Sequence, residues 1–345
     1  MSRKLITIST IMTLMSTSVI ADVPNVAADI APIHSLVSRV MDGVGAPKLI
    51  VQSGASPHGY RLRPSEAKAL QDADHVFWMG EELTPWLDSA IGTLASKASV
   101  TTLLDQQGVI LHDFREGALF EAHDHSAHGD DDHDDHDDHD DHDDHKDHDD
   151  HDDHDDHDDH KDHDDHDDHD DHDDHGSHDP HAWLSPENAK LWLNIIASKL
   201  SVSDPENAAT YFMNAAAGQT EIEAMIAEVK ATLKPVQGGK FVVFHDAYQY
   251  FENDFDFYAS GAISLGDSSD PSPARIEKVQ KRIRDEGIQC VLAEPQFKKG
   301  LVATVMEGSD ATASVIDPLG AELETGPKLY TRLIKNMAKT LRNCL

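Results

Sequence analysis

The 345-residue chain carries 65 acidic against 28 basic side chains, a formal net charge of −37 at pH 7 with histidine neutral. Such a balance excludes a nucleic-acid backbone as partner, because phosphate binding needs clustered Lys and Arg to displace counterions. Most of the excess lies in one stretch: residues 130–174 hold 29 Asp against two Lys, net −27, and the remainder carries only −10. Without that stretch and an N-terminal leader roughly 265 residues remain, enough for two domains that each bury a core.

The chain opens on Met1-Ser2-Arg3-Lys4, then an apolar, hydroxyl-dotted run from Leu5 to Ile20, then Ala21. A short basic region, an apolar core too short to span a bilayer and small residues before a cut after Ala21 predict a cleaved secretory signal over 1–21. No Cys follows the cut, so no lipid anchor is expected, and the mature protein is placed free in the periplasm.

Lys48 to Val51 reads as a strand, Arg63 to Asp72 as a helix, His75 to Met79 as a strand and Thr84 to Leu94 as a helix. From His133 to His175 the chain then repeats His-Asp-Asp with a period of three, Lys146 and Lys161 each replacing one Asp, and His123, His125, His128 and His178 extend the zone. With nothing apolar to bury and Asp charges repelling one another, 116–177 is expected to be a disordered loop. Ser185-Pro186-Glu187 caps a helix running to about Leu200, and Ser203-Asp204-Pro205-Glu206 opens a stretch with helical apolar spacing to Leu233, weakened only by Gly218. About 30 residues of helix suit a stiff strut of ~45 Å between two lobes.

Lys240 to Phe244, Cys290 to Ala293 and Ser314 to Ile316 follow as strands, alternating with helices over 273–286, 300–308 and 330–341. Strands alternating with helices predict parallel sheets. The expected fold is α/β: an N-terminal lobe over 22–203 including the loop, a linker helix over 204–234 and a C-terminal lobe over 235–345. The only two cysteines, Cys290 and Cys344, are expected in an oxidising compartment to form a disulfide tying the last helix to a strand; two buried free thiols are the alternative.

Outside the biased stretch few histidines remain. His245 follows the strand ending at Phe244, the carboxyl end at which open α/β sheets place their ligands. His58, in Ser56-Pro57-His58-Gly59, follows the strand ending at Val51, and His181 lies in Asp179-Pro180-His181-Ala182-Trp183 ahead of a capped helix. Three imidazoles from two lobes suit Zn²⁺, which takes neutral imidazole in a tetrahedral set of four. Asp317, before Pro318-Leu319-Gly320, is the best carboxylate for the fourth position, with water as its competitor. His34 in Ala31-Pro32-Ile33-His34, placed at the end of a possible first strand, is an accessory ligand or a surface histidine. His75 and His112 are expected to be structural. Asp179 and Asp246 neighbour two proposed ligands, and each is either an orienting partner for an imidazole or a turn cap.

Ser56-Pro57-His58 with Leu62-Arg63-Pro64-Ser65, Asp179-Pro180-His181-Ala182-Trp183, Phe244-His245-Asp246-Ala247-Tyr248, Ala293-Glu294-Pro295-Gln296-Phe297 and Asp317-Pro318-Leu319-Gly320 together carry a resemblance. Across nearly all of the mature chain the sequence resembles the periplasmic zinc-binding proteins of ABC importers, the ZnuA type within the wider metal-binding solute-binding family. The resemblance implies that His58, His181 and His245 are ligands, with Asp317 where manganese-selective relatives supply a carboxylate. Those relatives place Glu where this chain has His245, and a third imidazole favours zinc. Some zinc members carry Glu just before the first His; Pro57 closes that option here.

The implied function is capture of Zn²⁺ in a cleft between lobes and delivery to a membrane permease with its cytoplasmic ATPase, by a monomer. The loop would gather or buffer zinc at weak exchanging sites, or is a repeat expanded by slippage and tolerated. A periplasmic zinc store or chaperone and a binding protein for another divalent metal are the rival readings. No His-Glu-x-x-His, Gly-x-Ser-x-Gly or phosphate-loop motif is present, so an enzyme is not expected.

Overall fold

The computed structural model describes residues 23–115, 120, 178–264, 266, 271–296 and 299–345. The leader with its cleavage site and the His-Asp repeat lie outside the described residues, as do His123, His125, His128 and Phe297.

Two four-stranded sheets form, each wholly parallel. The first comprises β1 (Val26–Ala28), β2 (Lys48–Leu49), β3 (His75–Trp78) and β4 (Ser99–Thr102), ordered β2-β1-β3-β4. The second comprises β5 (Phe241–His245), β6 (Ala262–Ser264), β7 (Cys290–Ala293) and β8 (Thr312–Val315), ordered β6-β5-β7-β8. The alternation of side chains across the pleat feeds a core on each face. In the first sheet Val26, Ala28 and Phe77 face one core while Ala27, Val76 and Trp78 face another with Leu70, Leu87 and Ile91. In the second, Phe241 and Val243 face inward, and Val242, Phe244 and Val291 pack against Val279 and Ile283.

The inner cores of both sheets are one continuous cluster, from Val26 to Leu341, and both sheets belong to one compact unit. Its spine is α5 (Ala208–Leu233), with Tyr211, Ala215, Gly218, Ile222, Met225, Val229 and Leu233 buried along one stripe. At 1.5 Å per residue its 26 residues span roughly 39 Å. α5 packs against α1 (Ala31–Val40), α4 (Pro186–Ser203) and α9 (Leu329–Cys344). Gly218, a weakness by propensity, is what close packing requires: a Cβ there would lie 2.9 Å from Leu193 Cδ1 and 3.1 Å from Arg39 Cγ.

α2 (Pro64–Gln71), α3 (Pro85–Leu94), α7 (Pro273–Glu286) and α8 (Lys299–Val305) fall where the sequence places helices. Three of the nine described helices begin with Pro after an extended residue, α1 carries Pro32 at its second position after extended Ile30, and Ser185 and Ser272 accept a backbone N–H as caps. Cys290, opening β7, is bonded to Cys344 at the end of α9, with Cα atoms 5.6 Å apart. α1, β4, α6 (Gln249–Phe255) and β6 are elements that the sequence reading did not identify, and the first strand, expected to end at His34, is β1 and ends at Ala28. His34 consequently sits within α1 and not at a strand end; it is buried, with Nε2 3.2 Å from the Pro47 carbonyl and Nδ1 3.4 Å from Ser38 Oγ. No described helix is long and apolar enough to cross a membrane.

Candidate metal centre

His58, His181 and His245 converge. One ring nitrogen from each lies within 4.8 Å of the others, and among the described residues no other group of three His, Cys, Asp or Glu does this. The ring centroids of His181 stand 5.6 Å from His58 and 5.2 Å from His245.

Each imidazole comes from the carboxyl side of a sheet or from the segment joining them. His58 is half-buried in the turn after β2, whose backbone is pinned by Trp86 Nε1 donating to the Pro57 carbonyl at 2.7 Å. The far side of that turn is fastened where Glu66 accepts from Tyr60 Oη at 2.8 Å and from the Arg63 N–H at 2.7 Å. His181 precedes a 3-10 turn over Ala182–Leu184, and Trp183 Nε1 donates to the Pro318 carbonyl at 2.8 Å, which locks this segment to the loop after β8. His245 closes β5 in register with Ser264.

Two of the three rings are oriented by buried carboxylates. His181 Nδ1 lies 2.7 Å from Asp179 Oδ1, and His245 Nδ1 lies 2.6 Å from Glu294 Oε1. A carboxylate accepts, so each Nδ1 carries the proton and each Nε2 presents a lone pair, the tautomer of a ligand imidazole. Those lone pairs face each other, with Nε2 of His245 3.4 Å from Nε2 of His181. Two neutral acceptors at that distance repel, whereas two Zn–N bonds of ~2.0–2.1 Å in a tetrahedron place their nitrogens about 3.4 Å apart. The donor set and its spacing therefore fit Zn²⁺ as a bound solute.

Asp179, buried beneath His181, is pushed up to about 6 by loss of hydration, against lowering by the His181 N–H and Arg115. Asp246 is held by Arg115, whose Nε donates to both its oxygens at 3.0 Å. Arg115 also donates to Glu252, through Nη1 at 2.6 Å. Burial raises both carboxyls, and Arg115 opposes the rise. Asp317 is not brought into the histidine group. Its Oδ1 accepts from the N–H groups of Leu319 (3.0 Å) and Gly320 (2.8 Å), and Oδ2 accepts from Ala321 (2.5 Å). An Asp ahead of Pro-Leu-Gly is a turn former, and its carboxylate is used that way here.

Glu294, partner of His245, and Arg115, partner of Asp246, are the contacts at the site that the reading of the sequence missed. Glu294 had a signal, since it follows β7 at the carboxyl edge beside His245; Arg115 had none. His75 and His112 lie outside the histidine group: His75 Nε2 contacts Ser203 Oγ at 2.7 Å, and the ring of His112 lies tilted against Tyr250 with centroids 4.6 Å apart. His178 pairs with Asp113 through an isolated antiparallel bridge and an Nδ1–Oδ1 contact of 2.9 Å, so the two flanks of 116–177 meet beside the site.

The model of the family described as "Zinc-uptake complex component A periplasmic", ZnuA, matches residues 26–344. The high-affinity zinc uptake system protein ZnuA of Brucella abortus (strain 2308) is 48% identical over 320 residues, covering 93% of this chain and 91% of that protein. That of Paracoccus denitrificans is 44% identical over 326 residues, covering 94% and 93%. A crystal structure of ZnuA shares the fold with a TM-score of 0.67 at 19% identity, over 94% of this chain and 99% of that one. With the match running from β1 to the end of α9, across both sheets and all three converging histidines, this chain belongs to the ZnuA family of periplasmic zinc-uptake components.

Proposed function

We propose that His58, His181 and His245 bind Zn²⁺ between the two sheets, as the capture step of a high-affinity uptake system. The observation that carries this is the opposed pair of Nε2 lone pairs 3.4 Å apart, each set by a carboxylate on Nδ1. Two neutral rings held this way present acceptors to each other, an arrangement that a shared cation stabilises. Family membership and the zinc-uptake names of the relatives support the same cargo and a binding, non-enzymatic role.

In this reading 22–203 and 235–345 are the two lobes, and 204–234 is the rigid link. The leader is removed after Ala21, and the monomeric protein meets an ABC permease, with its ATPase, in the periplasm. The continuous core along α5 favours small relative motion, so release would come from the transporter prising ligands apart. Affinity falls as pH drops, because protons compete for the imidazole lone pairs.

The His-Asp repeat serves as an accessory zinc-gathering or buffering segment. Its 15 histidines between 133 and 175 also favour a store as the second reading. Zinc titration calorimetry on protein lacking 130–174, with and without His245→Ala, separates the two. One tight site that vanishes with His245→Ala supports capture in the cleft; absence of any tight site after the deletion would move the function into the repeat.

A further inference from the structure

Three imidazoles leave one position of a tetrahedral zinc unfilled. The cavity between the three rings is lined also by Pro57, Trp183, Glu294, Gln296, Pro318 and Leu319, and at about 10 Å³ it has room for a single ion or a single water. Among the described residues no carboxylate completes the set: Glu294 is engaged with His245, and Asp317 with three backbone N–H groups. Gln296 is the remaining oxygen-bearing side chain on that wall. Its Oε1 is buried and accepts no hydrogen bond.

From this, and resting on the zinc-capture reading above, we infer that Gln296 supplies the fourth ligand, its amide Oε1 coordinating the ion directly in place of a water or of Asp317. A buried carbonyl-type oxygen without a donor among the described residues is a standing cost that a cation removes. Gln296 lies two residues beyond Glu294, on the same turn after β7. One short segment would therefore orient His245 and close the coordination sphere. A neutral amide oxygen holds Zn²⁺ less strongly than a carboxylate would, which favours release.

The test uses the full mature chain loaded with Zn²⁺ for affinity and with one equivalent of Co²⁺ for spectra, so that the tight site and not the repeat is filled. A three-histidine site that binds water ionises that water near pH 7, as in carbonic anhydrase, whereas one closed by an amide has nothing to ionise. The wild-type Co²⁺ visible spectrum should stay constant from pH 6.5 to 9 on this assignment. Gln296→Ala should bind Zn²⁺ about 10–100-fold more weakly, on the scale of a lost supporting contact, and should acquire a pH-dependent spectrum. Gln296→Glu, which keeps an oxygen in reach, should retain or tighten binding and keep the spectrum constant. A wild-type spectrum that already titrates, or Gln296→Ala with wild-type affinity, overturns the assignment. So does Asp317→Asn producing the loss instead. If His245→Ala also binds normally, the capture site itself is elsewhere, and the role of Gln296 falls with it.

Discussion

β1 and β5 hold the same place in their sheets, second in a four-strand parallel order, and each is followed by a buried aspartate at its carboxyl end. Asp29, after β1, turns inward: Oδ1 accepts the Ile30 N–H and Oδ2 the Met79 N–H, both at 2.7 Å, which clamps β1 to the residue after β3. Among the described residues no cation pairs with it, and burial pushes its carboxyl up to about 7. Asp246, after β5, instead meets the guanidinium of Arg115, and the clamp between neighbouring strand ends is made by His245 and Glu294. One topology has thus been finished in two ways. In the first sheet the carboxyl end is sealed as structure. In the second, a cation meets the buried acid, and the strand's last residue pairs with Glu294 and joins the histidine group.

The largest expected effect comes from removing that cation. Arg115→Met leaves Asp246 and Glu252 buried without their partner, and loss of one member of a buried ion pair costs about 3–5 kcal/mol. Urea unfolding of the metal-free protein reads this directly. A loss below about 1 kcal/mol would show that the second sheet tolerates bare acids as the first does, and the contrast would collapse.

Asp29 gives the complementary case. Unfolded, its carboxyl releases the proton near 3.8; folded, near 7. Between these values the folded protein holds more protons than the unfolded chain, so stability falls as pH rises through this window. The ceiling from this one group is on the order of 4 kcal/mol. Asp29→Asn should therefore flatten the fall in unfolding free energy between pH 4 and 7 relative to wild type. Parallel curves for the two proteins would mean that Asp29 has a partner in the folded state that keeps it ionised.

Smaller in energy, but specific to the site, are the carboxylates behind the rings. Glu294→Gln and Asp179→Asn should each weaken zinc binding about 10–100-fold, because a neutral amide replaces the anionic acceptor that holds the Nδ1–H and raises the basicity of the ring. Asp29→Asn should leave the zinc affinity unchanged. An Asp29→Asn protein that loses affinity as Glu294→Gln does would break the division into a structural and a functional strand end.

How far the site could be read from the chain follows the same division. His58, His181 and His245 were legible because each sits beside a local signal, a β-branched run or a capped helix, at the edge where parallel sheets bind ligands. Asp179 was legible as a neighbour of His181, two residues away. Asp246 offered the same local signal beside His245 and proved to serve Arg115, 131 positions away. Glu294 orients a ring 49 positions away, and only the pairing of β5 with β7 places it there. Asp317 shows the converse: its local turn signal in Asp-Pro-Leu-Gly described its hydrogen bonds better than its position at a strand end did.

The sequence by itself determined the period of each long element, the cysteines available for a disulfide, the acidic repeat and the identity of the converging imidazoles. All of these depend on residues close together in the chain or on side-chain type alone. The tertiary structure decided the rest. It made strands of β1 and β6, three residues each, which only pairing with their neighbours stabilises. It turned Gly218 into a packing site between helices, and it chose which buried acid meets a cation and which imidazole meets a carboxylate. Those outcomes depend on desolvation and on distances across sheet and helix contacts, quantities that no stretch of chain carries on its own.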